Sequence, residues 1–108
     1  MTKEQFISAL KKAEEAAKSM SNVEDTNNNS CCNFDEVYFK MPEGVKFTDV
    51  KSMVNENGKP LVTKMKKDFY WFNPVYNGQA ERRKKIAEAA ATSFEESGII
   101  ARVHYQMD

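Results

Sequence analysis

The sequence predicts an α+β fold, an antiparallel sheet with helices on one face, and three observations predict it. Short stretches of two-residue alternation appear near residues 34–41, 61–65, 69–73 and 99–107. Helical periodicity runs through two longer stretches, residues 2–20 and 79–97. Turn and stop residues separate them, so the order is βαββαβ preceded by an N-terminal helix.

Residues 2–20 open with Thr2 and Gln5, a capping-box pair that satisfies free amides at a helix start. Phe6, Leu10, Ala13, Ala17 and Met20 then form one narrow, alanine-rich stripe. Such a stripe docks on the chain's own core or pairs with another subunit. Residues 21–33 are polar and turn-prone, a connector or a functional loop. In residues 34–41, Val37, Phe39 and Met41 share one face and Tyr38 and Lys40 the other, the pattern of a half-buried strand. Pro42, Glu43 and Gly44 close it.

Thr48 is placed to cap a short helix carrying Val50, Met53 and Val54 inward, with Asn57-Gly58 as a left-handed stop. Residues 61–65 form a modest strand, 64–68 a turn, and 69–73 a strongly aromatic strand that Pro74 ends. Asn77-Gly78-Gln79 opens the second long helix, with Ile86, Ala90 and Phe94 on one face and Gly98 as its stop. The last strand sets Ile99, Ala101, Val103, Tyr105 and Met107 against Ile100, Arg102, His104 and Gln106. This succession is that of the split βαβ, ferredoxin-like arrangement.

At 108 residues the chain is expected to form one domain: an N-terminal helix at 1–20, the connector at 21–33 and an α/β core at 34–108. Its 41% apolar and 30% charged residues are a globular composition. Sixteen basic residues balance sixteen acidic ones, which disfavours a general nucleic-acid coat, because that needs a cationic surplus. Cys31 and Cys32 are adjacent and imply no disulfide framework. With the lone His104 they do not make a closed zinc site, and nothing asks for a cofactor. Neither a signal-peptide core nor a membrane-length apolar run is visible, so the expected location is the cytoplasm, without a membrane partner.

Binding chemistry concentrates in residues 69–85. Four consecutive aromatics, Phe69, Tyr70, Trp71 and Phe72, must point to both faces of a strand. If helices cover one face, either Phe69 and Trp71 or Tyr70 and Phe72 look outward. Flat rings suit a nucleobase, although packing against another element is the alternative. Next comes a turn into a helix start, a setting that favours phosphate, followed by Arg82, Arg83, Lys84 and Lys85. A solvated basic face is the plainer reading of that run. Arg102, His104 and Gln106 share one face of the last strand and line either a pocket or an exposed sheet surface. No nucleophile or paired carboxylates stand at catalytic spacing, so the expected activity is binding rather than catalysis.

Cys32-Asn33-Phe34-Asp35, then Gly78-Gln79 leading into a basic, alanine-rich helix, Gly98, and the ending Tyr105-Gln106-Met107-Asp108 together resemble the phage-encoded anti-Thoeris sponge family. The resemblance spans residues 32–108 through short motifs. It implies a viral anti-defence protein, acting in the bacterial host cytoplasm, that sequesters a cyclic ADP-ribose immune signal without cleaving it. It also implies an antiparallel-sheet homo-oligomer, a dimer or larger, with pockets at subunit contacts. By chemical type, Trp71 or Phe72 would stack on the adenine, and Asn73 or Asn77 would supply an amide. Arg82, Arg83 and Arg102 would hold phosphates and ribose, with Gln79 and His104 nearby. The chain departs from the family's pattern in having a single glycine, Gly78, beside Gln79, which shifts phosphate holding from backbone amides to side chains.

Two other functions fit the residues. A single-stranded RNA-binding domain shares the strand order and would use Tyr38 with the 69–72 aromatics, although its signature glycine-aromatic run is missing. An inhibitor of a host effector would use the aromatic patch as a protein anchor.

Overall fold

The computed structural model describes residues 1–20, 35–76 and 80–105. The connector with Cys31 and Cys32, the turn residues Asn77, Gly78 and Gln79, and Gln106 and Met107 lie outside the described residues.

Helix α1 (Lys3–Met20) begins with the capping box the sequence predicts. The Thr2 amide donates to Gln5 Oε1 at 2.9 Å, and the Gln5 amide donates to Thr2 Oγ1 at 3.1 Å. Its stripe of Phe6, Leu10, Ala13 and Ala17 is buried on the chain's own core. Strands β1 (Glu36–Lys40), β2 (Val62–Lys66), β3 (Phe69–Phe72) and β4 (Ala101–His104) form one antiparallel sheet ordered β2-β3-β1-β4. Strand β3 therefore lies between β1 and β2, the split arrangement the element order predicts. Helix α2 (Ala80–Glu96) lies beside α1 on the same side of the sheet.

The first crossover differs from the expectation. Instead of a helix capped by Thr48, residues 41–61 contain one 3-10 turn, Phe47–Asp49, in which the Lys46 amide donates to Asp49 Oδ2 at 3.0 Å. Val50 is buried and Met53 partly so, as predicted, but Val54 is 54% exposed. A segment this short, dense in β-branched residues, cannot offset the cost of helix nucleation. Gly58, at φ +78°, turns the chain within a loop organised by Asn55 rather than ending a helix. Asn55 Oδ1 accepts from the Asn57 and Lys59 amides, and its Nδ2 donates to the Asn73 carbonyl. The helical layer is completed by α1 instead, which packs beside α2, and both helices bury small side chains, among them Ala13, Ala17, Ala87 and Ala90.

Phe39 sits at the centre of that layer. Its ring centroid is 5.5 Å from Phe6 of α1 and 5.1 Å from Phe94 of α2, and Phe72 meets Phe94 edge-on at 4.9 Å. Val37, Val62, Ile86 and Ala101 fill the spaces between them. Helix α2 ends as Gly98 predicts: at φ +82° its amide donates to Glu95 O and the Ile99 amide to Phe94 O, so the last carbonyls are satisfied. None of the described helices is long and apolar enough to cross a membrane.

Candidate functional site on the open sheet face

Helix packing on one side decides which aromatics of β3 look outward. Phe72 and Tyr70 point to the helices, where Phe39 stacks on Tyr70 and Phe47 stacks on it too. Phe69 and Trp71 therefore occupy the opposite face with Tyr38 of β1, whose register partners are Trp71 on one side and Arg102 on the other. Tyr38 meets Phe69 edge-on at 5.7 Å and Trp71 edge-on at 5.9 Å. Trp71 in turn meets His104 of β4 edge-on at 5.9 Å. Four rings thus run diagonally across three strands in an unbroken row. Tyr38, Phe69 and Trp71 are half-buried and His104 is exposed.

Polar residues frame this row. Asn73 Nδ2 donates to Thr63 Oγ1 at 3.0 Å and to the Pro60 carbonyl at 3.1 Å, which fixes β2 beside Trp71. Lys40 and Lys66 are both paired with Phe69 across the ladder and are exposed. Glu36 pairs with His104 at the other end. Beyond the strand ends near Lys40 lies a depression of about 410 Å³, lined by Met41, Glu43, Asp68 and Ile100 among others.

A second polar cluster sits where β1 and α2 begin. The Tyr76 hydroxyl accepts from the Val37 amide at 3.2 Å and lies 3.5 Å from the Phe72 carbonyl, joining the ends of β1 and β3. Arg83 lies over the Tyr76 ring at 4.4 Å, and Asp35 is buried nearby. Burial pushes the Tyr76 phenol far above the usual tyrosine range, outweighing the Val37 hydrogen bond and the Arg83 charge that pull it down.

Of the residues singled out in the sequence, Trp71 and His104 come together in the ring row. Phe72 does not join them: it is 0% exposed, sealed against Phe94, and offers no ring face to a ligand. Strand alternation settles that choice once the helices are placed. Asn73 stands beside the row with its amide engaged in the scaffold. Arg102 shares the outward register of Tyr38, but its guanidinium turns around the sheet edge to Glu95 Oε1 at 3.2 Å and the Ala101 carbonyl at 2.8 Å. That places it in an open groove of about 530 Å³ between β4 and α2 with Glu88, Thr92 and Tyr105. Arg82 and Arg83 are half-buried on the first turns of α2, with Arg83 committed to Tyr76. Asn77 and Gln79 lie outside the described residues. A single ring-and-guanidinium clamp is therefore not assembled by the described side chains of one chain. Tyr38, Phe69, Lys40 and Lys66 complete the face instead. Tyr38 and Phe69 were legible from alternation, whereas the two lysines needed the strand pairing.

Comparison with protein-family models, with curated proteins and with solved structures finds no match to this chain.

Proposed function

We propose that this chain is a binding protein, not an enzyme, which captures a small nucleotide by stacking its base on the open face of the sheet. The row Phe69–Tyr38–Trp71–His104 carries this reading. Rings held at fixed spacing on a rigid sheet lose little entropy on binding, and stacking contributes about 1–3 kcal/mol per base. The ligand that the sequence resemblance implies is a cyclic ADP-ribose-type immune signal, held without cleavage so that a bacterial Thoeris defence is disarmed. Nanomolar capture requires about −12 kcal/mol, more than one open face supplies, so a second copy of the chain closes over the ligand in this reading.

Trp71 is the only tryptophan, so its emission reports directly on the site. Titration with cyclic ADP-ribose isomers is expected to quench it saturably, and heating the complex is expected to release the ligand chemically unchanged. Hydrolysed ligand would turn the reading towards an enzyme. Unchanged emission with every isomer would remove this ligand class.

One observation favours a second reading, single-stranded RNA. Tyr38 and the pair Phe69 and Trp71 sit on the two central strands, the placement that RNA-recognition sheets use. The balanced charge of 16 against 16 speaks against it. An oligouridine titration at low salt decides, because RNA binding must weaken steeply as salt rises.

A further inference from the structure

We infer that the open face is chemically polarised and selects a nucleotide with an amine-bearing base, its base over Trp71 and its phosphates beside Phe69. The inference rests on the base-stacking reading above. The ladder register sets Lys40 on one side of Phe69 and Lys66 on the other, and both side chains are exposed. Among the described residues no lysine pair flanks the opposite end of the row: there Glu36 lies across from His104, whose ring meets Trp71 edge-on. Glu36 and Lys40 are four residues apart on β1, a separation of about 13 Å at the usual strand rise. That is comparable to the reach of a nucleotide from base edge to terminal phosphate. Lys40 and Lys66 flank Phe69 itself, whereas Glu43 and Asp68 line the depression beyond the strand ends, so a phosphate beside Phe69 pairs with the two ammonium groups and one at the Glu36 end is repelled. An ionised carboxylate is an acceptor only, which makes Glu36 a partner for an exocyclic amine and a poor partner for a ring edge without donors.

The probes are adenosine, its 5′-mono- and diphosphates, and the same series built on purine riboside, which lacks the amine. Trp71 quenching in low salt gives each affinity. Affinity is expected to rise roughly 1.4-fold to fivefold per phosphate, the range for exposed ion pairs. The Lys40→Met/Lys66→Met double variant is expected to collapse the ratio of diphosphate to nucleoside affinity towards one. Adenosine is expected to bind about tenfold tighter than purine riboside, as for a hydrogen bond to a charged group. Glu36→Met is expected to erase that preference, and Glu36→Gln, which keeps an acceptor, to retain part of it. If phosphates add nothing, or the double variant keeps the rise, the polarity is wrong. Equal binding of adenosine and purine riboside overturns the Glu36 assignment. If no nucleoside quenches Trp71, the stacking reading itself fails, an outcome distinct from either of these.

Discussion

Strand β3 shows one residue type meeting two fates. Phe72 and Tyr70 face the helices, and Phe72 is fully enclosed between strand and α2. Phe69 and Trp71, one position away along the same strand, form a partly exposed row with Tyr38. On the helix side an aromatic ring contributes buried area and fills volume. On the open side it keeps part of its surface in water and stays available. In the proposed reading the two faces divide stability from recognition, and substitutions on them should separate the two properties.

The largest effect is expected on the enclosed side. Phe72→Ala leaves a cavity beneath Phe94 and should cost about 3–5 kcal/mol of stability, read from urea unfolding. A loss no greater than that at Trp71 would break the contrast between the faces. Trp71→Ala should instead lower nucleotide affinity by about 1–3 kcal/mol, while costing roughly 1–2 kcal/mol of stability through its lost edge contacts with Tyr38 and His104. Calorimetric titration and thermal melts measure the two separately, and a variant with full affinity would move the site off this face.

Tyr76→Phe sharpens the comparison at the strand ends. Loss of the hydroxyl that accepts from the Val37 amide should cost about 1 kcal/mol. Because burial raises the folded-state phenol above its ordinary 10.0, this group's contribution is fully present below pH 10. It is lost as pH climbs above that value, where the unfolded chain ionises first. Unfolding midpoints between pH 9 and 11.5 should therefore fall less steeply in Tyr76→Phe than in the wild type, and parallel slopes would contradict the assignment. The smallest effect belongs to Arg102→Ala. Its contact with Glu95 joins side chains that are 61% and 57% exposed, so stability should change by no more than about 0.5 kcal/mol. Nucleotide affinity should hardly move, and a loss equal to that of Trp71→Ala would restore Arg102 to the site.

The sequence was most legible where local chemistry and periodicity agree. Thr2 and Gln5 mark the start of α1, Gly98 marks the end of α2, and the alternation of Val37 and Phe39 with Tyr38 assigns the faces of β1. It was least legible in residues 41–61, where a weak helical pattern gave way to one 3-10 turn and an Asn55-centred loop. For the candidate site, chemical type put forward Trp71 and Phe72 alike, and only the packing tells them apart, because both are aromatic side chains of the right kind and Phe72 alone is sealed in the core. Nor could it foresee that Arg102 would turn to Glu95.

The order of the strands and the two long helices, the start of α1 set by its cap and the end of α2 set by Gly98, and the alternation of side chains along each strand are written in the sequence, because they depend on residues a few positions apart. Which face of the sheet the helices cover, and hence which aromatics remain open, was decided by tertiary packing. So were the pairing that brings Lys40 and Lys66 to Phe69 and the placement of α1 beside α2. Those outcomes depend on contacts between residues far apart in the chain, whose energies no local pattern encodes.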